Sequence, residues 1–75
     1  MGNKAVLEQV MNTSIEEIGL SRFLSDSIKM IGIKSVKDIV TKDEEYLTRA
    51  VGIGDARARK IFKIAYNTIV EYIAG

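Results

Sequence analysis

The sequence predicts an all-α protein, on three observations. Its 75 residues include no Pro, the residue that most disrupts helices. Ile, Leu, Val and Ala are plentiful, and few Thr or aromatic residues alternate with them as they do in strands. Helix-start signals recur along the chain and are followed by glycines that end helices. We expect a single domain over residues 1–75, a compact bundle of four to five short helices and one long C-terminal helix.

Residues 1–12 are predicted to form an N-terminal extension or a short helix from Lys4 to Met11, because apolar residues recur there at helical spacing. Two overlapping capping boxes follow, one pairing Thr13 with Glu16 and one pairing Ser14 with Glu17. A helical turn should therefore begin there and end at Gly19.

Three short helices are expected next. The first covers about residues 22–31, the second runs to residue 40 and the third runs to residue 51. Their boundary signals are Ser21 and Gly32, the box-like pair Ser35 and Asp38, and the box-like pair Thr41 and Glu44. Their predicted inward positions are Phe23, Leu24, Ser27, Ile28, Ile31, Tyr46, Leu47 and Ala50.

The last helix, from about Asp55 to Ala74, is predicted to be the longest. Its apolar residues form a broad stripe, as expected of a helix packed under several short ones. The stripe consists of Ile61, Ile64, Ala65 and Ile69, widened by Phe62, Tyr66 and Ile73. A stacking platform for bases built from Phe23, Phe62 and Tyr66 is the alternative interpretation, but their inward positions favour core residues.

The sequence Val51-Gly52-Ile53-Gly54 is typical of a hairpin between two helices. Gly52 would end one helix in a left-handed conformation, and Ile53 would fill the core. Gly54 would let a ligand approach the start of the next helix, where free amides suit a phosphate oxygen. Ile31-Gly32-Ile33 repeats the pattern 20 residues earlier. We therefore predict a doubled helix-hairpin-helix core over residues 14–74, the alternative for the glycines being a turn needed only for packing.

Positive charge gathers around this hairpin although the net charge is only +1. Residues 49–63 carry five basic groups and one acidic group. Basic side chains in the first turns of a helix oppose its dipole, so helix stability does not explain them. A solvated helix face is the alternative. The predicted nucleic-acid-binding residues are Gly52, Gly54, Arg57, Arg59, Lys60, Lys63 and Arg22.

The composition argues against most enzymes, because the chain has neither Cys nor His for metal sites or nucleophilic triads. The acidic run Asp43-Glu44-Glu45 is better explained by a helix first turn than by a metal site. No apolar run is long enough to span a membrane. We expect a cytoplasmic protein with no catalytic residues, metal, cofactor, membrane partner or small-molecule substrate.

The residues from Ser14 to about Ile61 resemble the C-terminal domain of the bacterial RNA polymerase alpha subunit. The resemblance is carried by Ser14-Ile15-Glu16-Glu17-Ile18-Gly19-Leu20-Ser21, Ile28-Lys29, Gly32-Ile33, Ser35-Val36, Asp38-Ile39-Val40, Glu44-Glu45, Leu47, Ile53-Gly54 and Ile61. It implies short helices packed on one long helix in a SAM-like arrangement. It also implies a module in transcription that contacts the DNA minor groove and transcription factors.

Carried over residue by residue, the family's hairpin glycine is kept as Gly54, whereas its DNA-contacting arginine, asparagine and lysine fall on Phe23, Asp26 and Ala56. Arg57, Lys60 and Lys63 supply new positive charge beyond the hairpin. Two functions are therefore expected: weak, backbone-dominated binding of double-stranded DNA, or docking on RNA polymerase or a transcription factor without binding DNA.

Overall fold

Five α-helices and one 3₁₀ turn make up the chain in the computed structural model, which describes residues 2–75 and the side chains from Ala5 onward. They are α1 (Gly2–Met11), the 3₁₀ turn (Ile15–Glu17), α2 (Arg22–Lys29), α3 (Val36–Val40), α4 (Glu44–Leu47) and α5 (Asp55–Ala74). The prediction of an all-α fold with four short helices and a long C-terminal helix is confirmed. Met1, which begins the predicted segment 1–12, lies outside the described residues.

The predicted starts of α2 and α3 are confirmed. The hydroxyl of Ser21 accepts a hydrogen bond from the Leu24 amide at 3.3 Å. Ser35 and Asp38 form a complete capping box, in which each side chain accepts a hydrogen bond from the other residue's amide. These short polar contacts fix where each helix begins and therefore which apolar side chains turn inward.

Two other predicted starts are wrong in detail. Asp43 rather than Thr41 caps α4, because its carboxylate accepts from the Tyr46 amide at 2.8 Å, while the Thr41 hydroxyl donates to the Lys37 carbonyl at the end of α3. The helix ends at Leu47 instead of residue 51. The helical turn predicted near residue 14 does form, as a 3₁₀ turn capped by Ser14, but without the predicted capping boxes, since Ser14 accepts from the amide only two residues later.

The core lies between α5 and the short helices, with α1, α3 and α4 all packed against α5. Two alanines on the inner face of α5, Ala58 and Ala65, are fully buried, and their small side chains allow close helix packing. The main cluster of buried residues consists of Ile15, Leu24, Ile28, Ile33, Val36, Ile39, Leu47, Ala50, Ile53, Ala58, Ile61 and Ala65, and Val10 of α1 is also fully buried.

Backbone hydrogen bonds tie the segment before the 3₁₀ turn to the segment before α3. The Ile15 amide donates to the Lys34 carbonyl at 3.2 Å, and the Val36 amide donates to the Thr13 carbonyl at 3.0 Å. An isolated antiparallel bridge between Ser14 and Ser35 results. It holds two of the chain's helix starts side by side.

Three aromatic or apolar residues predicted to face inward are largely exposed, namely Phe23 (51%), Tyr66 (50%) and Ile73 (59%). Phe23 and Tyr66 each adjoin a buried residue, Leu24 and Ala65, and one residue along a helix is a rotation of about 100°. That rotation carries both rings to the edge of the buried face. Phe62 stacks on Tyr66 with ring centroids 5.7 Å apart and is only partly buried.

Over residues 2–75, each helix is either too short or too polar to cross a membrane.

Candidate nucleic-acid interface

The turn between α4 and α5 has the geometry that the sequence predicts. Gly52 has a φ of +80°, and the Ile53 amide donates to the Ala50 carbonyl at 3.1 Å. This hydrogen bond closes a four-residue turn, residues 50–53, in which Gly52 is third. A type II β-turn requires a positive φ at its third residue, and glycine adopts it without strain. Ile53 then enters the core and is only 4% exposed.

The turn between α2 and α3 matches it in residues but not in hydrogen bonds. Gly32 also has a positive φ, of +90°, and Ile33 is also buried. Here the Ile33 amide donates to the Ile28 carbonyl and the Gly32 amide to the Lys29 carbonyl, which is a Schellman motif. The two hairpins, residues 22–40 and residues 44–74, therefore share their glycine and isoleucine positions and differ in how the helix before the turn ends.

Gly52 is also held by a side chain from the first hairpin. A Cβ atom on Gly52 would lie 2.5 Å from the ζ carbon of Phe23, far closer than packed atoms come. Arg57 contacts both residues, with its guanidinium 5.4 Å from the centroid of the Phe23 ring and its Nη1 donating to the Gly52 carbonyl at 2.8 Å. Gly52 therefore serves packing, and these two contacts orient the exposed Arg57 side chain.

Gly54 has a different environment. It occupies the N-cap of α5 with a φ of −91°, which other residues adopt, and a Cβ there would meet nothing within 4 Å. No side chain caps α5, whereas Ser14, Ser21, Ser35 and Asp43 each cap their own helical element. The first-turn amides of α5 therefore lack the side-chain acceptor that these other elements have, and the space in front of Gly54 is open.

The four basic residues predicted on α5 are all exposed and lie on its first three turns. Arg59 approaches Glu44 of α4, with 4.0 Å between Nε and Oε1. Lys60 and Lys63, three residues apart on one face, make no ion pair with any residue from 2 to 75. The charge most available to a ligand therefore comes from these two lysines.

Arg22 stands apart from this group. Its side chain is 95% exposed and lies 3.7 Å from the carboxylate of Asp26, one turn along α2. It borders a shallow depression that also contains Glu16 and Lys29, which form an ion pair. The structure thus places Gly54 directly before α5 and the four basic residues on its first three turns, which also carry Asp55, and it leaves Arg22 on α2 beside Asp26.

The arrangement can hold an anion through backbone amides and nearby cations. Among residues 2–75, no three carboxylates converge as metal ligands. The sequence alone did not reveal the contact of Phe23 with Gly52 and Arg57, because helical periodicity places residues around an axis and does not pair helices. The only hint of this contact in the sequence was that Phe23 is an apolar residue directly before Leu24, the first core position of α2.

No protein-family model, curated protein or solved structure gives a significant match to this chain.

Proposed function

We propose that the chain is a DNA-binding module that holds the phosphate backbone at the start of α5. The observation that carries this proposal is the open N-terminus at Gly54, which has no capping side chain; after Asp55 and Ala56, exposed basic residues begin at Arg57. A phosphate oxygen is a natural acceptor for such amides, because the helix dipole also favours negative charge there. The resemblance to the polymerase alpha C-terminal domain supports a place in transcription.

Each residue has a distinct part in this interface. Gly54 leaves room for a phosphate to reach the amides of the first turn. Arg57 is oriented in advance by Phe23 and the Gly52 carbonyl, and a guanidinium that donates one hydrogen bond retains further N–H donors for a phosphate. Lys60 and Lys63 add point charges, whereas Arg59 is partly neutralised by Glu44.

Such a site binds weakly by itself. Two to four phosphate contacts correspond to a slope of log affinity against log salt of about −2 to −4, and to the micromolar or weaker dissociation constants of non-specific binding. Physiological occupancy then depends on attachment to a larger assembly, where a high effective concentration replaces intrinsic affinity. RNA polymerase or a transcription factor would provide that assembly.

The substitution Gly54→Asp tests the proposal because stability and binding should change in opposite directions. Asp at an N-cap accepts from the first-turn amides and favours the helix dipole, so we expect stabilisation of about 0.5–1 kcal/mol. The same carboxylate occupies those amides and repels phosphate, so binding to a short A·T-rich duplex should fall at least tenfold. Fluorescence anisotropy at low salt and thermal unfolding by circular dichroism measure the two effects.

Met30→Asp is the matched control, since Met30 is 86% exposed and follows α2 rather than the α4–α5 turn. It changes the net charge equally at another place. Equal duplex affinities for the two variants would contradict the proposal. A backbone-amide NMR titration of the unmodified chain should show shifts in residues 52–63 that shrink as salt rises.

Docking on RNA polymerase or a transcription factor is the second candidate. It is favoured by the exposed apolar surface at the same hairpin, where Val51 is 84% exposed and Phe23 is half-exposed beside Gly52. Aromatic residues are enriched in protein interfaces. The NMR titration separates the two functions, because a docking module would show no shifts with the duplex even at low salt.

A further inference from the structure

The ring of Tyr46 on α4 has two cations beside it. The ammonium of Lys42 and the guanidinium of Arg49 each lie over the ring, 5.1 Å from its centroid. Both basic side chains are exposed, whereas Tyr46 is partly buried and its hydroxyl donates to the Ile31 carbonyl at 3.1 Å. The ring is therefore anchored against the end of the first hairpin helix, and it orients both cations. We name Lys42, Tyr46 and Arg49 the α4 basic cluster.

These two cations are oriented without being neutralised. A cation is attracted to the face of an aromatic ring, but the ring has no net charge to cancel the cation's own. Arg22, Lys29 and Arg59, by contrast, each lie within 4.0 Å of a carboxylate oxygen. Neither Lys42 nor Arg49 makes such an ion pair with any residue from 2 to 75. Their charge is therefore available to an anion from outside the chain.

The carboxylates nearest in sequence do not fill this role. Asp43 caps α4 by accepting from an amide of its first turn at 2.8 Å, and Glu44 approaches Arg59 at 4.0 Å. Glu45 lies four residues before Arg49, a spacing at which ion pairs commonly form on helices. The Arg49 guanidinium nevertheless lies over the tyrosine ring, and Glu45 makes no ion pair within residues 2–75.

We propose that the α4 basic cluster binds phosphates of the same DNA that the start of α5 holds, an inference that rests on the proposed function. Because Lys42 and Arg49 each lie 5.1 Å from one ring centroid, the two charged groups are at most about 10 Å apart. Phosphates of one strand recur about every 3.4 Å along the duplex axis, so this span covers about three of them. The two cations can therefore contact separate phosphates of one strand.

The cluster adjoins the proposed phosphate site through the turn of residues 50–53. The ends of such a turn lie less than about 7 Å apart, and Arg49 and Gly54 flank it directly. With about 3.8 Å per residue on each side, their Cα atoms are at most about 15 Å apart. Arg57, beyond the turn, is also oriented over a ring, that of Phe23. Oriented cations therefore stand on both sides of the hairpin, and this continuity favours one extended nucleic-acid contact over a separate acidic partner.

The salt dependence of duplex binding tests how many phosphates the cluster contacts. Lys42→Gln and Arg49→Gln should each make the slope of log affinity against log salt shallower by about 0.9, and the double variant by about 1.8. Lys37→Gln is the matched control, because Lys37 is exposed and lines a groove with Leu7 and Met11 of α1, away from the α4–α5 turn. A double variant with the slope of the unmodified chain, or one that matches the control, would overturn the proposal.

An NMR titration with a short A·T-rich duplex separates this inference from the proposed function. The side-chain Nε–H signal of Arg49 should shift together with the amides of residues 52–63, and both sets of shifts should shrink as salt rises. Shifts confined to residues 52–63 would overturn the α4 contact and leave the proposed function standing. No shifts in residues 52–63 would overturn the proposed function and, with it, this extension of its interface. An equal Arg49 shift with a polyglutamate peptide of the same charge would mean that the cluster accepts any polyanion, which would also overturn the proposal.

Discussion

The ring of Phe23 on α2 lies directly against Gly52 in the turn between α4 and α5, so closely that a Cβ on Gly52 would come within 2.5 Å of the ring. The contact joins the first hairpin to the second. The Arg57 guanidinium also lies over the Phe23 ring, and the two contacts together fix the backbone just before the proposed phosphate site. It also separates the roles of the two hairpin glycines. Gly52 is required by the fold, whereas Gly54 is not.

The same substitution at both glycines should therefore have opposite effects on stability. Gly52→Ser places an L-residue at a φ of +80° and a Cβ against Phe23, so unfolding should become easier by at least about 1–2 kcal/mol. Gly54→Ser adds a capping hydroxyl in open space and should be neutral or stabilising by a few tenths of a kcal/mol. Urea unfolding followed by circular dichroism measures both, and comparable losses would show that Gly54 also serves packing.

A double-mutant cycle should show that Phe23 and Gly52 are coupled. Phe23→Ala removes the ring that the new Cβ would strike, so Gly52→Ser should cost less in that background, with a coupling free energy of about 0.5–3 kcal/mol. The cost that remains is backbone strain at the positive φ. Tyr66→Ala provides the control background, because it also removes a half-exposed ring, but from α5 instead of α2. Additive costs for Phe23→Ala and Gly52→Ser would contradict the contact.

The sequence predicted the features that depend on local chemistry. The caps at Ser21 and Ser35 and the left-handed glycines at residues 32 and 52 follow from hydrogen bonding and sterics within a few residues. Phe23 could not be placed the same way, because its position depends on how two helices pack. Asp43 was predicted to lie in the first turn of α4 but caps the helix instead, because the Thr41 hydroxyl donates to the Lys37 carbonyl at the end of α3.

The candidate site was predictable to the same extent. The sequence showed the hairpin glycines before α5 and the basic residues along α5, and it predicted where the helix begins. The ion pairs of Arg22 with Asp26 and of Arg59 with Glu44 were not, since a charge count over residues 49–63 treats every basic group as free. Lys60 and Lys63 emerge as the more available charges only from the packing of α4 on α5.

Acid should weaken the contact between the 3₁₀ turn and α2. The hydrogen bond from Lys29, then its positive charge, and then the Ser14 hydroxyl hold the pKa of Glu16 below its ordinary value of 4.5. Because the folded state binds this proton less readily than the unfolded state, the contribution is fully present above pH 4.5 and is lost as pH falls through the lowered pKa.

Carboxyl NMR of Glu16 during a pH titration measures this directly. Lys29→Met should move the pKa of Glu16 up toward 4.5, and the acid-side loss of stability should shrink in that variant. Lys34→Met removes a cation that makes no ion pair among residues 2–75 and should leave the Glu16 titration where it was. If the pKa of Glu16 is the same in the Lys29→Met variant as in the unmodified chain, this ion pair does not form in solution.

The salt dependence of duplex binding should identify which charges meet phosphate. Each cation that neutralises one phosphate contributes about −0.9 to the slope of log affinity against log salt. Lys60→Gln and Lys63→Gln should each make the slope shallower by about that amount, because both side chains are exposed and free of ion pairs within residues 2–75. Lys37→Gln on α3 changes the net charge equally and should leave the slope unaltered. Arg59→Gln should have a smaller effect than either lysine, because Glu44 already offsets part of its charge. If the Lys37, Lys60 and Lys63 substitutions make the slope shallower by the same amount, duplex binding depends only on the overall charge of the chain. The start of α5 would then have no special role in binding.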